Sequence, residues 1–87
     1  MKRFEFELEN EHGLHARPAG LMVETCNAFA CDIHFYKGTQ KVNGKSMLGI
    51  LMLAASKGNA LAVEADGADE IQAIEAIKNL IDSQFDE

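Results

Sequence analysis

Gly13-Leu14-His15-Ala16-Arg17-Pro18-Ala19 is where the chain changes its hydrophobic period. Upstream, Phe4, Phe6 and Leu8 alternate with Arg3, Glu5, Glu7 and Glu9, and a period of two reads as a half-buried strand. Downstream, from Ala16 to Phe29, Leu21, Met22, Cys26 and Phe29 recur at helical spacing and give one amphipathic helix. Glu11-His12-Gly13 is the loop between the two. Pro18 suits a first helical turn, because its missing N–H would have no intrahelical partner there. The quoted stretch therefore joins a strand to a helix start, with His15 in the first turn and Arg17 shortly after it.

The same reading extends to the rest of the chain. Asp32 to Tyr36 alternates again, with Ile33 and Phe35 on one face and His34 outward. Lys37-Gly38-Thr39-Gln40 has the composition of a hairpin turn, and Lys41 to Asn43 is the returning strand. Ser46 precedes the apolar segment Met47-Leu48-Gly49-Ile50-Leu51-Met52-Leu53, and serine before such a run is a good N-cap. Gly58 is expected to end that unit, with Met47 exposed and Leu51 buried. Leu61, Val63 and Ala65 alternate and give a fourth strand. Asp69 is expected to cap a last helix whose stripe is Ile71, Ile74, Ile77, Ile81 and Phe85. This order predicts an α+β open-faced β-sandwich: a four-stranded antiparallel sheet covered on one face by three helices (βαββαβα).

Size and composition narrow the function classes. At 87 residues the chain holds one small domain, residues 1–87, with one modest core. An apolar content of 47% suits a globular chain. No apolar run is long enough to span a bilayer and no basic-plus-apolar leader opens the sequence, so the expectation is a cytoplasmic protein without membrane insertion. A net charge of −6 opposes binding to nucleic acid and to anionic membranes. Cys26 and Cys31 read as free thiols, since nothing suggests an oxidising compartment.

The chemistry converges on His15. Backbone N–H groups at a helix start are unpaired and carry partial positive charge, so they attract anions. A phosphate there meets the N–H groups of Ala16 and Arg17, and Arg17 adds a planar fork of charged donors. Neutral imidazole is nucleophilic at cellular pH, which suits reversible phosphoryl transfer. A lone histidine would be read as a surface or capping residue; the flanking Gly13-Leu14 and Ala16-Arg17-Pro18-Ala19 favour a phosphohistidine instead. His12 and His15 make a pair with no evident third ligand, so no metal is expected, and nothing calls for a cofactor. There is no catalytic acid/base pair or nucleophile triad, which argues against an independent turnover enzyme. A small-molecule-binding module of the same architecture would leave both His15 and Ser46 unexplained.

The quoted stretch resembles the active-site signature of the HPr family, the histidine-containing phosphocarriers of the bacterial sugar phosphotransferase system. Lys41-Val42-Asn43-Gly44-Lys45-Ser46-Met47-Leu48-Gly49-Ile50 resembles the regulatory serine region of the same family, and the two motifs stand in register over nearly the whole chain. The resemblance implies the open-faced sandwich independently. It implies that the His15 ring nitrogen nearer the backbone accepts phosphate from enzyme I, ultimately from phosphoenolpyruvate, and passes it to enzyme II A components. It assigns stabilisation of the phosphate to Ala16, Arg17 and Pro18, and partner docking to Gly20, Met47 and Leu48. It further implies modification of Ser46 by HPr kinase/phosphorylase and binding to transcriptional regulators. A carrier that presents one site to successive partners is expected to be a monomer.

One departure matters. Many HPr proteins carry basic residues along the first helix, whereas this chain has Glu24 and Asn27 there. That keeps a second reading open, a mainly regulatory HPr-like protein acting through Ser46 phosphorylation and protein binding. Rim charges of this kind govern association rate more than chemistry.

Overall fold

A computed structural model describes residues 1–86. Strands β1 (Lys2–Glu7), β2 (Asp32–Lys37), β3 (Gln40–Asn43) and β4 (Ala60–Asp66) form one sheet in the order β1-β4-β2-β3, each neighbour antiparallel. Helices α1 (Ala16–Asn27), α2 (Met47–Met52) and α3 (Glu70–Asp82) complete the chain, followed by a short turn at Gln84–Asp86. This is the α+β sandwich that the alternating periods predict. Register fixes the faces: Phe35 pairs with Val42 on one side and Val63 on the other, and Val63 pairs with Phe4. That row, with Ile33 and Ala65, belongs to the core together with Met22 and Cys26 of α1, Ile50 of α2 and Ala73 and Ile77 of α3. His34 pairs with Glu64 and Asn43 in the adjacent, solvent-side row and is half-buried.

Helix boundaries follow the caps, and here the structure corrects three expectations. The second helix stops at Met52, well before Gly58, because Leu53 is fully buried and the chain must turn inward to seat it; Ala54 absorbs the turn at φ 49°. Leu51, expected in the core, is 41% exposed. Ile50 and Leu53, three residues apart, take the inner face of this short helix, which leaves Leu48 and Leu51 on the outer one.

The stripe of α3 is also rotated. Ala73 and Ile77 are the buried positions, Ile74, Leu80 and Ile81 flank them, and Ile71 is 57% exposed. Phe85 is buried as expected, but it lies beyond the helix, in a turn where Gln84, Phe85 and Asp86 all have φ between 53° and 59°. Asp69 does occupy the N-cap position of α3, yet its side chain caps nothing there. Its two oxygens instead accept from Ala30 N (2.8 Å) and Cys31 N (3.0 Å), tying the start of α3 to the entry of β2.

Candidate functional site

The loop before α1 is held by a closed turn. Gly13 N donates to Asn10 O (3.1 Å), and Asn10 Nδ2 donates back to Gly13 O (2.6 Å). Gly13 has φ 64°, and a Cβ on it would collide with the backbone carbonyl of Ala55, so only glycine fits both the dihedral and the space. Leu14 is buried and donates its N–H to Ala55 O at 3.0 Å. With residues on both sides pinned, His15 becomes the N-cap of α1, with extended backbone (φ −78°, ψ −172°) and its carbonyl accepting from Ala19 N (2.9 Å).

The His15 side chain does not cap the helix. It is exposed, and its ring meets that of His12 edge to face, 5.6 Å between centroids and 88° between planes. Ala16 and Arg17 supply the first N–H groups of α1, positions that lack intrahelical acceptors. Pro18 is buried and contributes no donor. Arg17 is exposed, and its Nη1 donates to Phe85 O at 3.0 Å, which leaves the rest of the guanidinium fork beside the helix start. The exposed imidazole of His15, the first N–H groups of α1 and the Arg17 side chain thus all belong to the start of one helix.

Ser46 lies at the opposite end of α1. Asn27, the last residue of that helix, donates through Nδ2 to Lys45 O at 3.2 Å, and Lys45 Nζ donates to Phe29 O at 2.7 Å. A helix of this length spans about 18 Å. The half-buried Ser46 caps α2 as its position predicts: Oγ accepts from Gly49 N at 3.0 Å. From there α2 runs back toward Ala55 and the His15 loop. Along it Met47 (36%), Leu48 (69%), Leu51 (41%) and Met52 (62%) are exposed. Gly20 is half-buried on α1, and a Cβ there would meet nothing within 4 Å. The exposed apolar surface thus includes Leu51 and Met52 besides the expected Met47 and Leu48.

Sequence reasoning passed over three contributors: Asn10 and Ala55, which shape the loop, and the Phe85 carbonyl, which positions Arg17. Asparagine three residues before Gly13 is a turn signal that could have revealed the first. The other two are backbone groups brought in by the fold. Cys26 and Cys31 are buried free thiols. Burial pushes them up to about 12 and about 11, and Asp69 reinforces the shift at Cys31.

A family model described as the phosphorylation site of the PTS HPr component matches residues 2–83. The chain is 40% identical over 87 residues to the phosphocarrier protein HPr of Neisseria meningitidis, covering 100% of this chain and 98% of that one. Among solved structures, HPr-C-His from Thermoanaerobacter tengcongensis superimposes with a TM-score of 0.97 at 46% identity, covering 100% of this chain and 98% of the other. Crh, the Bacillus subtilis catabolite repression protein crystallised as a swapped dimer, is similar with a TM-score of 0.76 at 36% identity and 97% coverage of both chains.

Proposed function

This chain belongs to the HPr family, the phosphocarriers of the phosphotransferase system, and we propose from that membership that His15 is the residue that carries the phosphoryl group. The observation that supports this most is the position of His15: at the N-cap of α1, exposed, with its imidazole not used for capping. Phospho-enzyme I is the donor and an enzyme II A component the acceptor. In each transfer the phosphorus bond to the donor breaks as the bond to the acceptor forms. The chain's own part is positioning and charge neutralisation, which carry most of the catalysis in phosphoryl transfer. The N–H groups of Ala16 and Arg17 and the Arg17 guanidinium meet the oxygens, and Pro18 fixes the helix start. Leu48, with Met47 and Gly20 beside it, forms the docking face.

The test is intact-mass measurement after incubation with enzyme I and phosphoenolpyruvate. One acid-labile phosphate, lost in His15→Ala, is expected; labelling that survives in the variant rules out His15.

A second reading rests on Ser46. Its Oγ occupies the mouth of α2, where a phosphate would keep the cap donors and gain from the helix start while placing charge beside the exposed Leu48. We infer that a kinase of the HPr kinase/phosphorylase type modifies Ser46 and so changes which partners dock, transcriptional regulators included. Wild-type chain that such a kinase leaves unmodified would remove this reading.

A further inference from the structure

His12 belongs to no part of the machinery described so far, yet the fold delivers it to His15. The paired bonds between Asn10 and Gly13 close a turn whose tip is Glu11 and His12. Both of these side chains are exposed. His12 also lines, with Asn10, Glu11 and Gln84, an open cleft of about 320 Å³. On its other side its ring meets the His15 ring edge to face at 5.6 Å. A phosphoryl group on a His15 ring nitrogen projects its oxygens a few ångströms from the ring, a distance comparable to this separation, so it would share the space between the two imidazoles.

We propose that His12 is a second imidazole of the phosphoryl site: when His15 carries phosphate, His12 takes up a proton and donates an N–H to a phosphoryl oxygen. The proposal rests on the reading of His15 as the carrier. The phosphoryl group brings up to two negative charges to a chain already at −6. Arg17 is the cation at the helix start, and one of its donors is committed to Phe85 O. Histidine is the side chain whose charge changes between pH 5 and 8, and an anion within about 4–6 Å favours its cationic form. The other charged groups on the surrounding elements are Glu9 and Glu11 on the same loop, Arg17 and Glu24 on α1, Lys57 beside the Ala55–Ser56 segment that Gly13 packs against, and Asp86 in the C-terminal turn. These are the same in both states of His15, so comparison of the two states isolates the effect of the phosphoryl group. Linkage makes the effect reciprocal: a proton on His12 stabilises the phosphorylated state, so the equilibrium for passing the phosphoryl group onward becomes less favourable as pH drops through neutrality.

The experiment uses the whole chain and phosphoramidate as the phosphoryl source. The P–N bond to ammonia breaks, a P–N bond to His15 forms, and the imidazole proton leaves with the ammonia. Peptide mass mapping places the phosphate on His15, and NMR then follows the titration of His12 with and without it. His34, on the far face of the sheet, serves as the internal reference. The His12 midpoint is expected to rise by about 1 pH unit, less at high salt, while His34 stays put. In His12→Gln, an amide donor without the charge, hydrolysis of the phosphohistidine is expected to be several-fold faster and to lose its step near neutral pH. A His12 midpoint that moves no more than that of His34 overturns the proposal, and so does failure of phosphoramidate to modify His15. If phosphoramidate modifies His15 but phospho-enzyme I does not, the carrier reading fails while the His12 result still decides the proposal.

Discussion

At the scale of single residues, the site depends on a few side chains held by backbone partners from distant parts of the chain. Arg17 illustrates this, because the carbonyl that orients it belongs to Phe85 at the other end of the sequence. Arg17→Ala is expected to slow phosphoryl transfer to His15 by roughly 10- to 100-fold, the worth of one charge-assisted hydrogen bond. Stability should change by less than about 1 kcal/mol, since the bond lost is to a partly exposed carbonyl. Single-turnover labelling with phospho-enzyme I and urea unfolding of the same variant separate the two effects.

Asp69 gives a pH prediction. The Ala30 N–H, with further bonds from Cys31, holds its carboxyl below the usual range. A depressed native value means stability that is present above the ordinary carboxylate range and is lost as pH falls through the native value. Glu70, held down chiefly by the Gly67 N–H, and Glu64, held down chiefly by the Tyr36 hydroxyl, act in the same direction. Asp69→Asn is therefore expected to lower the thermal midpoint at neutral pH and to flatten its decline as pH falls below the ordinary carboxylate range. A decline as steep as wild type would contradict the assignment.

At the scale of elements, short helices depend on their ends. α2 has only six residues, and Ser46 supplies its side-chain cap. Ser46→Ala is expected to cost about 1 kcal/mol in urea unfolding, whereas Ser46→Asp keeps an acceptor at the same place and should recover most of it. α1 offers the opposite case. Gly20 sits inside the helix, and an added methyl would meet no atom within 4 Å. Gly20→Ala is expected to stabilise the protein by about 0.5–1 kcal/mol through lower entropy of the unfolded chain. If Gly20 also belongs to the docking face, the stabilised variant will transfer phosphate more slowly to an enzyme II A component; an unchanged rate would remove Gly20 from that face. The strand and helix order, the Ser46 cap and the His15 helix start were legible in the sequence, because hydrophobic period and capping chemistry are local. The helix faces were not, since the rotation of α2 and α3 is set by which residue meets the sheet.

At the scale of the molecule, one sheet face and three helices enclose a core in which Phe35, Val63, Met22 and Ile77 are fully buried. Some apolar residues are left outside: Leu48 and Met52 are 69% and 62% exposed, and the proposed docking face includes Leu48. Their replacement by serine should change stability by no more than about 0.5 kcal/mol each, as for surface positions in general, while weakening transfer between partners. Calorimetry alongside a partner-transfer assay checks both halves; a large loss of stability would mean that these side chains are packed rather than presented. The same exposed surface bears on self-association. A monomer that presents one site to successive partners is expected to have a solution mass of 9.5 kDa by light scattering. A doubled mass would place this chain with its dimeric relatives.

Taken by itself, the sequence determined the alternation of strands and helices and the placing of His15, Arg17 and Ser46 at helix starts. Those features follow from period and capping, which act over a few neighbouring residues. Only the tertiary structure decided that Leu51 and Ile71 face solvent, that Asp69 serves Ala30 and Cys31 rather than its own helix, and that Phe85 steadies Arg17. Each of these depends on groups far apart along the chain, or on the rotation of a helix about its axis. Close packing against the sheet settles both, and no local pattern encodes it.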